Sequence, residues 1–153
     1  MSQSGSGDGE QARIVVGVDG SANSRTALRW AARQARLSGA ALEVIIAWHY
    51  PVFYGWAPGP QEFDFGAAAE QALSQSVEEV LGADRPAALR TRVAQGNAAQ
   101  VLVDASAGAQ LLVVGSRGYG GFADALLGSV STYCVHHAHC PVTVIRPAGH
   151  HHG

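Results

Sequence analysis

Residues 13–48 read RIVVGVDGSANSRTALRWAARQARLSGAALEVIIAW, which predicts a strand, a helix and a second strand in close succession. The first six residues form a short β-rich run, and Leu42–Trp48 forms another. Between them, Ser24–Ser38 has apolar residues at helical spacing, and Gly39 ends this helix. Two strands joined through a helix are typical of a parallel βαβ unit.

The alternation continues to the end of the chain. Further helices are predicted at Gly66–Leu81, Asn97–Ala107 and Ser129–Ala138, with Asn97 as the N-cap of the second of these. Further strands are predicted at Leu89–Ala94, Gln110–Val114 and Pro141–Arg146. Strands that alternate with helices predict an α/β fold, an open doubly wound parallel sheet with helices on both faces. Leu89–Ala94 alternates with polar residues and therefore suits an edge of the sheet.

The length of 153 residues favours one domain, predicted at residues 12–147. Residues 1–11 are polar and glycine-rich, and residues 148–153 carry three histidines that are either native or a purification remnant. Both segments are predicted to be disordered tails. The aromatic connection Tyr50–Phe65 is longer than usual, so it is either a lid over a ligand or a packed surface loop.

Composition excludes several classes of function. All ten basic residues are arginine, so neither a Walker-type phosphate loop nor Schiff-base chemistry is possible. The formal charge of -2 means that the chain has no net positive charge to attract nucleic acid or acidic membranes. No apolar run reaches the length of a membrane span, and the chain does not open with the charged and then apolar residues of a signal peptide. The two cysteines are interpreted as free thiols. We therefore expect a cytoplasmic protein that binds neither membrane nor nucleic acid.

Two glycine-containing turns follow predicted strands, one at residues 17–21 and the other at residues 115–121. In an open α/β sheet, ligands bind beyond the carboxyl ends of strands where the strand order reverses. If the first and fourth strands are neighbours, both turns border one crevice. This crevice is the candidate ligand site.

The second turn indicates an anion site. Its glycines let the backbone approach an anion closely, and Gly128-Ser129-Val130-Ser131 follows immediately before a helix. Amides at the start of a helix, with the positive end of its dipole, favour phosphate. Since the chain has no lysine, phosphate binding has to depend on these amides, on the hydroxyls of Ser129 and Ser131, and on Arg117.

The stretch GSRGYGGFADALLGSVS, residues 115–131, has the form G-x2-G-x9-G-S. It resembles the nucleotide-binding signature of the universal stress protein family, as do IVVGVDGS near the start and HCPVTVIRP near the end. The resemblance covers roughly Arg13–Pro147. It implies a five-stranded parallel sheet in the order 3-2-1-4-5, the adenine nucleotide alpha hydrolase-like fold, and membership of the subgroup that binds ATP.

The resemblance also implies the roles of individual residues. Asp19 would face the ribose or the metal-bound phosphates, which makes it a ligand of Mg²⁺ only through the nucleotide. The adenine would be lined by Gly17, Val18, Ala47 and Trp48, where Trp48 either stacks on the base or crowds it. Ribose and phosphates would be held by Gly115, Arg117, Gly118, Gly128, Ser129, Val130 and Ser131. The implied cofactor is ATP, or AMP or ADP, with or without Mg²⁺.

Several signals have plainer alternatives. Asp19 can simply cap the first helix. The group of Cys134, His136, His137, His139 and Cys140 can bind a metal, but it lacks the usual ligand spacings, so a solvated or packed helix end is favoured. The arginine stripe on the first helix is predicted to be a solvated face; it consists of Arg25, Arg29, Arg33 and Arg36.

Three functions remain open from the sequence. A nucleotide-responsive stress or regulatory binding protein is favoured over a slow Mg-dependent ATP hydrolase, because neither turn has a lysine or a second carboxylate. A stress scaffold that has lost its nucleotide is the third. The apolar last strand, Pro141–Arg146, would lie at an open edge, and the resemblance implies that it pairs across a two-fold axis in a homodimer.

Overall fold

The computed structural model describes residues 11–49, 64–117 and 128–147. The strands are β1 (Arg13–Val18), β2 (Ala41–Trp48), β3 (Leu89–Gln95), β4 (Leu111–Gly115) and β5 (Val142–Ile145). The helices are α1 (Ala22–Ser38), α2 (Phe65–Val80), α3 (Ala98–Ser106) and α4 (Ser129–His137). Every strand pairing is parallel, and the order is β3-β2-β1-β4-β5. The predicted fold class and strand order are confirmed.

The sheet is central because its middle strands are apolar on both faces. Side chains alternate between the two faces of a strand, so one face of β1 carries Val16 and the other Val15, both fully buried. On the first face α1 and α2 cover a core that includes Leu28 and Leu73. On the second face α3 and α4 cover a smaller core that includes Leu112. This is the doubly wound arrangement.

Side-chain caps set where three of the helices begin. Ser21, Asp64 and Asn97 each accept a hydrogen bond from the amide three residues further on, which satisfies one free N–H of the first turn. The prediction that Asn97 is an N-cap is confirmed. Helix α1 begins at Ala22, earlier than predicted, because Ser21 is its cap and the Ser24 hydroxyl bonds back to the Ser21 carbonyl oxygen at 3.0 Å.

The other boundaries differ from the prediction by one residue or a few. Helix α2 begins at Phe65, which the sequence had assigned to the preceding loop. Residues 50–63 of that loop lie outside the described residues, and so do residues 1–10 and 148–153 of the two predicted tails. Gln11 is described, and its side-chain amide donates to the Gly39 carbonyl oxygen at 2.7 Å.

Strands β3 and β5 are the edges of the sheet, as predicted. A carboxylate in β2 links three strands on the β3 side. Glu43 accepts from Arg13 of β1 at 3.0 Å and from Arg92 of β3 at 3.2 Å, and its own side chain is only 14% exposed. Arg13 also donates to the Ala105 and Ala107 carbonyl oxygens at the end of α3. This cluster holds α3 against the amino-terminal ends of the strands.

Candidate functional site

The carboxyl ends of β1 and β4 lie side by side. These strands pair in parallel with Val15 opposite Leu112 and Val16 opposite Val113. The prediction that they are neighbours is therefore confirmed. The turns that leave them, at residues 17–21 and from residue 115 onward, begin at the same edge of the sheet, and the order of the strands reverses there. A ligand crevice is expected at this position.

The first turn is held by its own polar groups. The Asp19 carboxylate accepts from the Ser21 amide at 2.9 Å, and the Asp19 amide donates to the Ser24 hydroxyl at 3.2 Å. Gly20 has a φ of 87°, in the left-handed region that favours glycine. The alternative that Asp19 caps α1 is wrong, because Ser21 occupies that position. The Asp19 side chain is exposed and follows directly after the carboxyl end of β1.

Asp19 fits a metal only in part. Within residues 11–49, 64–117 and 128–147, no three histidine, cysteine, aspartate or glutamate side chains are grouped so that they could hold a metal ion. Mg²⁺ prefers about six oxygen ligands and keeps several waters. Asp19 can therefore supply one protein ligand, and nucleotide oxygens and water would have to supply the others.

The second turn begins with a dense set of hydrogen bonds. The side-chain oxygen of Asn23, in the first turn of α1, accepts from the Arg117 amide at 2.7 Å and from the Ser116 hydroxyl at 3.4 Å. A Cβ atom on Gly115 would lie 2.8 Å from that oxygen, so only glycine leaves room for it. Arg117 itself is exposed. Gly118, the next residue of the predicted signature, lies outside the described residues.

The segment between β4 and α4, residues 116–128, is called the glycine loop below, and its far end returns to the same place. The Gly128 amide donates to the Ser116 carbonyl oxygen at 2.6 Å, so the two ends of the loop meet beside β4. A Cβ on Gly128 would lie 3.2 Å from that oxygen, closer than nine in ten real contacts. The small size of Gly128 thus permits this closure.

Helix α4 begins at this junction. Gly128 is its N-cap and provides no side-chain hydrogen bond to the first turn. The amides of Ser129, Val130 and Ser131 precede the first N–H that has an acceptor within the helix. Ser129 is exposed, Val130 packs partly against the core under α3 and α4, and Ser131 is buried with its hydroxyl donating to the Gly128 carbonyl oxygen at 3.1 Å. The Ser129 hydroxyl is the more accessible donor of the two.

The four residues predicted to line adenine lie at adjacent strand ends but on opposite faces. Val18 and Trp48 belong to the face covered by α1 and α2. The alternation of side chains places Gly17 and Ala47 on the face covered by α3. A Cβ on Gly17 would lie 2.5 Å from the Leu102 side chain of α3, so this glycine also has a packing role. The Trp48 indole packs near Gly66 at the start of α2, where a Cβ would meet it at 3.2 Å.

The structure also describes two other candidate groups from the sequence, the arginine stripe of α1 and the cysteines and histidines at the end of α4. In the arginine stripe, Arg29, Arg33 and Arg36 are exposed as predicted, whereas Arg25 is half-buried and donates to the Gly20 carbonyl oxygen at 2.6 Å. At the end of α4 the three histidines are exposed, and Cys134 points into the core.

Burial raises the pKa of the Cys134 thiol to about 11. Burial also raises the pKa of Cys140, against the opposing effect of the Arg13 guanidinium. Both cysteines are free thiols. A thiol with a raised pKa is a poor nucleophile and a poor metal ligand at neutral pH.

Sequence reasoning missed Asn23 and the Ser21–Ser24 pair. Asn23 is polar and lies one residue inside a helix, and its partners are more than ninety residues away along the chain. The stretch DGSANS does contain the cap, since serine is among the residues preferred at the N-cap position. No comparable signal marks Asn23.

Residues 12–146 match the family model of the universal stress protein family. A universal stress protein of Mycolicibacterium smegmatis is 41% identical over 143 residues, which cover 87% of this chain and 47% of that protein. The chain spans about half the length of the curated relatives it matches.

Solved structures show the same fold. UspA from Lactobacillus plantarum superposes with a TM-score of 0.73 at 24% identity, covering 90% of this chain and 99% of that one. A universal stress protein in complex with cAMP superposes with a TM-score of 0.67 at 26% identity, covering 90% of this chain and 98% of that one.

Proposed function

Since the chain belongs to the universal stress protein family, we propose that it binds an adenine nucleotide in the crevice between β1 and β4 and acts as a nucleotide-responsive stress protein. The observation that carries the proposal is the closure of the glycine loop. Its two ends meet at the hydrogen bond from the Gly128 amide to the Ser116 carbonyl oxygen. This bond lies directly before the start of α4, where the N-cap residue has no side chain to bond the first-turn amides. The cAMP complex of a structural neighbour supports the choice of an adenine nucleotide.

The phosphates are proposed to bind the amides at the start of α4. The helix dipole favours an anion there, and the amides of Ser129, Val130 and Ser131 are directed to that end of the helix. The exposed Ser129 hydroxyl and the Arg117 guanidinium add donors. Gly115 and Gly118 are also proposed to contribute to the ribose and phosphate site, as the family signature implies. Because the chain lacks lysine, these groups carry the phosphate contacts alone.

The ribose and base are proposed to lie across the ends of β1 and β2. Asp19 is exposed just after the end of β1 and can accept hydrogen bonds from ribose hydroxyls or provide one ligand to a nucleotide-bound Mg²⁺. Gly17, Val18, Ala47 and Trp48 would border the adenine. We propose ATP as the nucleotide, and with it membership of the ATP-binding subgroup.

Binding is proposed in preference to catalysis. Hydrolysis needs a base that positions water and groups that compensate charge on the leaving phosphate. Asp19 is the one carboxylate in the described part of the two turns, residues 17–21 and 115–117. A slow Mg-dependent hydrolase would show steady turnover that Asp19→Ala abolishes, and such a result would replace the binding proposal.

Isothermal titration calorimetry with ATP, ADP, AMP and cAMP, with and without Mg²⁺, tests the proposal. We expect saturable binding, and Ser129→Ala should weaken it about tenfold or more, because a hydrogen bond to a charged group contributes roughly 1.5–3 kcal/mol. Ser74→Ala is the matched control, since Ser74 is an exposed helical serine on α2. If no adenylate binds or raises the melting temperature of the wild-type protein, the proposal fails in favour of a scaffold without nucleotide.

Assembly and location are proposed from the same fold. β5 is an edge strand whose side chains are all half-buried, so pairing of Pro141–Arg146 with a second copy would cover its open edge. Light scattering at micromolar concentration should give the mass of a homodimer, and a monomer mass would contradict it. The two free thiols suit a reducing compartment, so we propose a cytoplasmic location, which cell fractionation tests.

Residues 12–147 are proposed to form one folding unit, with residues 1–11 and 148–153 outside it. Among the described elements, no helix is both long enough and apolar enough to cross a membrane. The net charge of -2 gives no attraction to nucleic acid, so neither membrane nor nucleic acid is a proposed partner.

A further inference from the structure

The side chain of Asn23 connects α1 to the turn after β4 and to the end of β5. Its oxygen accepts from the Arg117 amide at 2.7 Å and from the Ser116 hydroxyl at 3.4 Å. Its amide nitrogen donates to the Ile145 carbonyl oxygen, at the end of β5, at 3.1 Å. Asn23 is 8% exposed, so these bonds replace solvation that the side chain loses on folding.

The polarity of these contacts requires a carboxamide. One end of the side chain faces donors, and the other end faces an acceptor. Aspartate would accept from Arg117 but would offer no donor to Ile145, and leucine would leave both the Arg117 amide and the carbonyl without this partner. Among side chains of this size, asparagine alone supplies an acceptor and a donor on the same carbon.

The bond to the Arg117 amide holds the backbone just after the end of β4. Residue 117 is the second residue after β4, where the chain leaves the sheet and enters the glycine loop. Gly115 leaves the space that the Asn23 oxygen occupies. The preceding residue, Ser116, is bonded at both of its backbone groups, to Ile145 through its amide at 2.8 Å and to Gly128 through its carbonyl oxygen at 2.6 Å.

We propose that Asn23 is a positioning residue of the nucleotide site. By orienting the Arg117 peptide and the Ser116 hydroxyl, it holds the turn after β4 in place. The Ser116 carbonyl oxygen in turn accepts from the Gly128 amide, directly before the α4 amides proposed to bind phosphate. Asn23 acts through Ser116 and Arg117 and not by contact with the nucleotide. The inference rests on the proposed function, because it assigns Asn23 to the same phosphate site.

The test compares Asn23→Ala with the matched variant Asn97→Ala. Asn97 is also an asparagine at the start of a helix, but among the described residues its side chain bonds to the local Gln100 amide alone, at 3.1 Å. Two quantities are measured on each protein: the affinity for ATP by calorimetry, and the hydrogen exchange rate of the Arg117 amide by NMR without nucleotide.

We expect Asn23→Ala to weaken ATP binding about tenfold, which corresponds to a loss of roughly 1.4 kcal/mol of binding free energy. It should also speed exchange of the Arg117 amide about tenfold or more. Asn97→Ala should change neither quantity, although it removes a helix cap. Asn23→Ser, which loses the same three bonds but keeps a small polar group, provides a second variant if the alanine protein folds poorly.

The outcomes separate the two proposals. If wild-type protein binds no adenine nucleotide, the proposed function fails. If wild-type protein binds ATP and both Asn23 variants bind it equally well, the proposed function stands and Asn23 has a structural role only. The same conclusion follows if the Asn23 and Asn97 variants lose ATP affinity to the same extent.

Discussion

Replacing Gly17 with alanine tests whether the end of β1 is packed as tightly as the structure indicates. The new Cβ would lie 2.5 Å from one methyl carbon of Leu102 and 3.1 Å from the other. Leu102 is 5% exposed and enclosed between α3 and the sheet, so it has little space into which to move. Overpacking of this kind costs about 1–3 kcal/mol.

For a chain of this length, each kcal/mol lowers the melting temperature by roughly 2–4 °C, so Gly17→Ala should lower it by about 2–12 °C. The assay is calorimetric melting of Gly17→Ala, Leu102→Ala and the double variant. Leu102→Ala alone should cost about 2–5 kcal/mol, since it leaves a cavity. In its presence the alanine at position 17 has room, and its additional cost should be close to zero.

The double-mutant cycle contains its own control, because residues in contact give non-additive effects of roughly 0.5–3 kcal/mol. If Gly17→Ala costs as much in the Leu102→Ala background as in the wild type, the clash with α3 is not the cause. An unchanged melting temperature in the single variant would refute the packing argument altogether.

Three further perturbations follow from the described contacts. Ser21→Ala should lower the stability by about 1 kcal/mol, because it removes the cap of α1, whereas Ser38→Ala at the exposed end of the same helix should have little effect on urea denaturation. Glu43→Gln should cost about 1 kcal/mol at low salt, since it leaves two arginines without their shared carboxylate, and a cost that does not shrink in high salt would contradict a charge effect. The Cys134 thiol has a folded pKa of about 11 against an ordinary value of 9.0, so the folded state keeps its proton while the unfolded state loses it. Stability should therefore fall as the pH rises from 9 to 11 and fall less steeply in Cys134→Ala; equal slopes for the two proteins would argue against this assignment.

The sheet could be predicted from the sequence because its signals are local and repeated. The strand-helix-strand unit of residues 13–48 appears with its first strand unchanged, and the helix cap at Asn97 was correct. The strand order was not available from periodicity. It came from the resemblance carried by residues 115–131, and the pairing of β1 with β4 confirms it.

The residues that escaped prediction depend on contacts between distant parts of the chain. Gly17 was assigned to the nucleotide, but its tolerance for a side chain is limited by Leu102, which approaches from α3. Asn23 has partners at positions 116, 117 and 145, and nothing near it in sequence indicates them. Asp19 was given a possible capping role that the neighbouring Ser21 takes instead. Such assignments require the folded coordinates.

The burial of Cys134 makes the rate of thiol alkylation a measure of how often this part of the fold opens. Alkylation needs a thiol that is both accessible and ionised, and this one is fully enclosed with a pKa of about 11. Labelling at neutral pH therefore requires local or global unfolding that exposes the thiol. In a Cys140→Ser background, the rate of iodoacetamide incorporation would therefore report how often Cys134 becomes exposed. A nucleotide bound at the start of α4 would lower that rate.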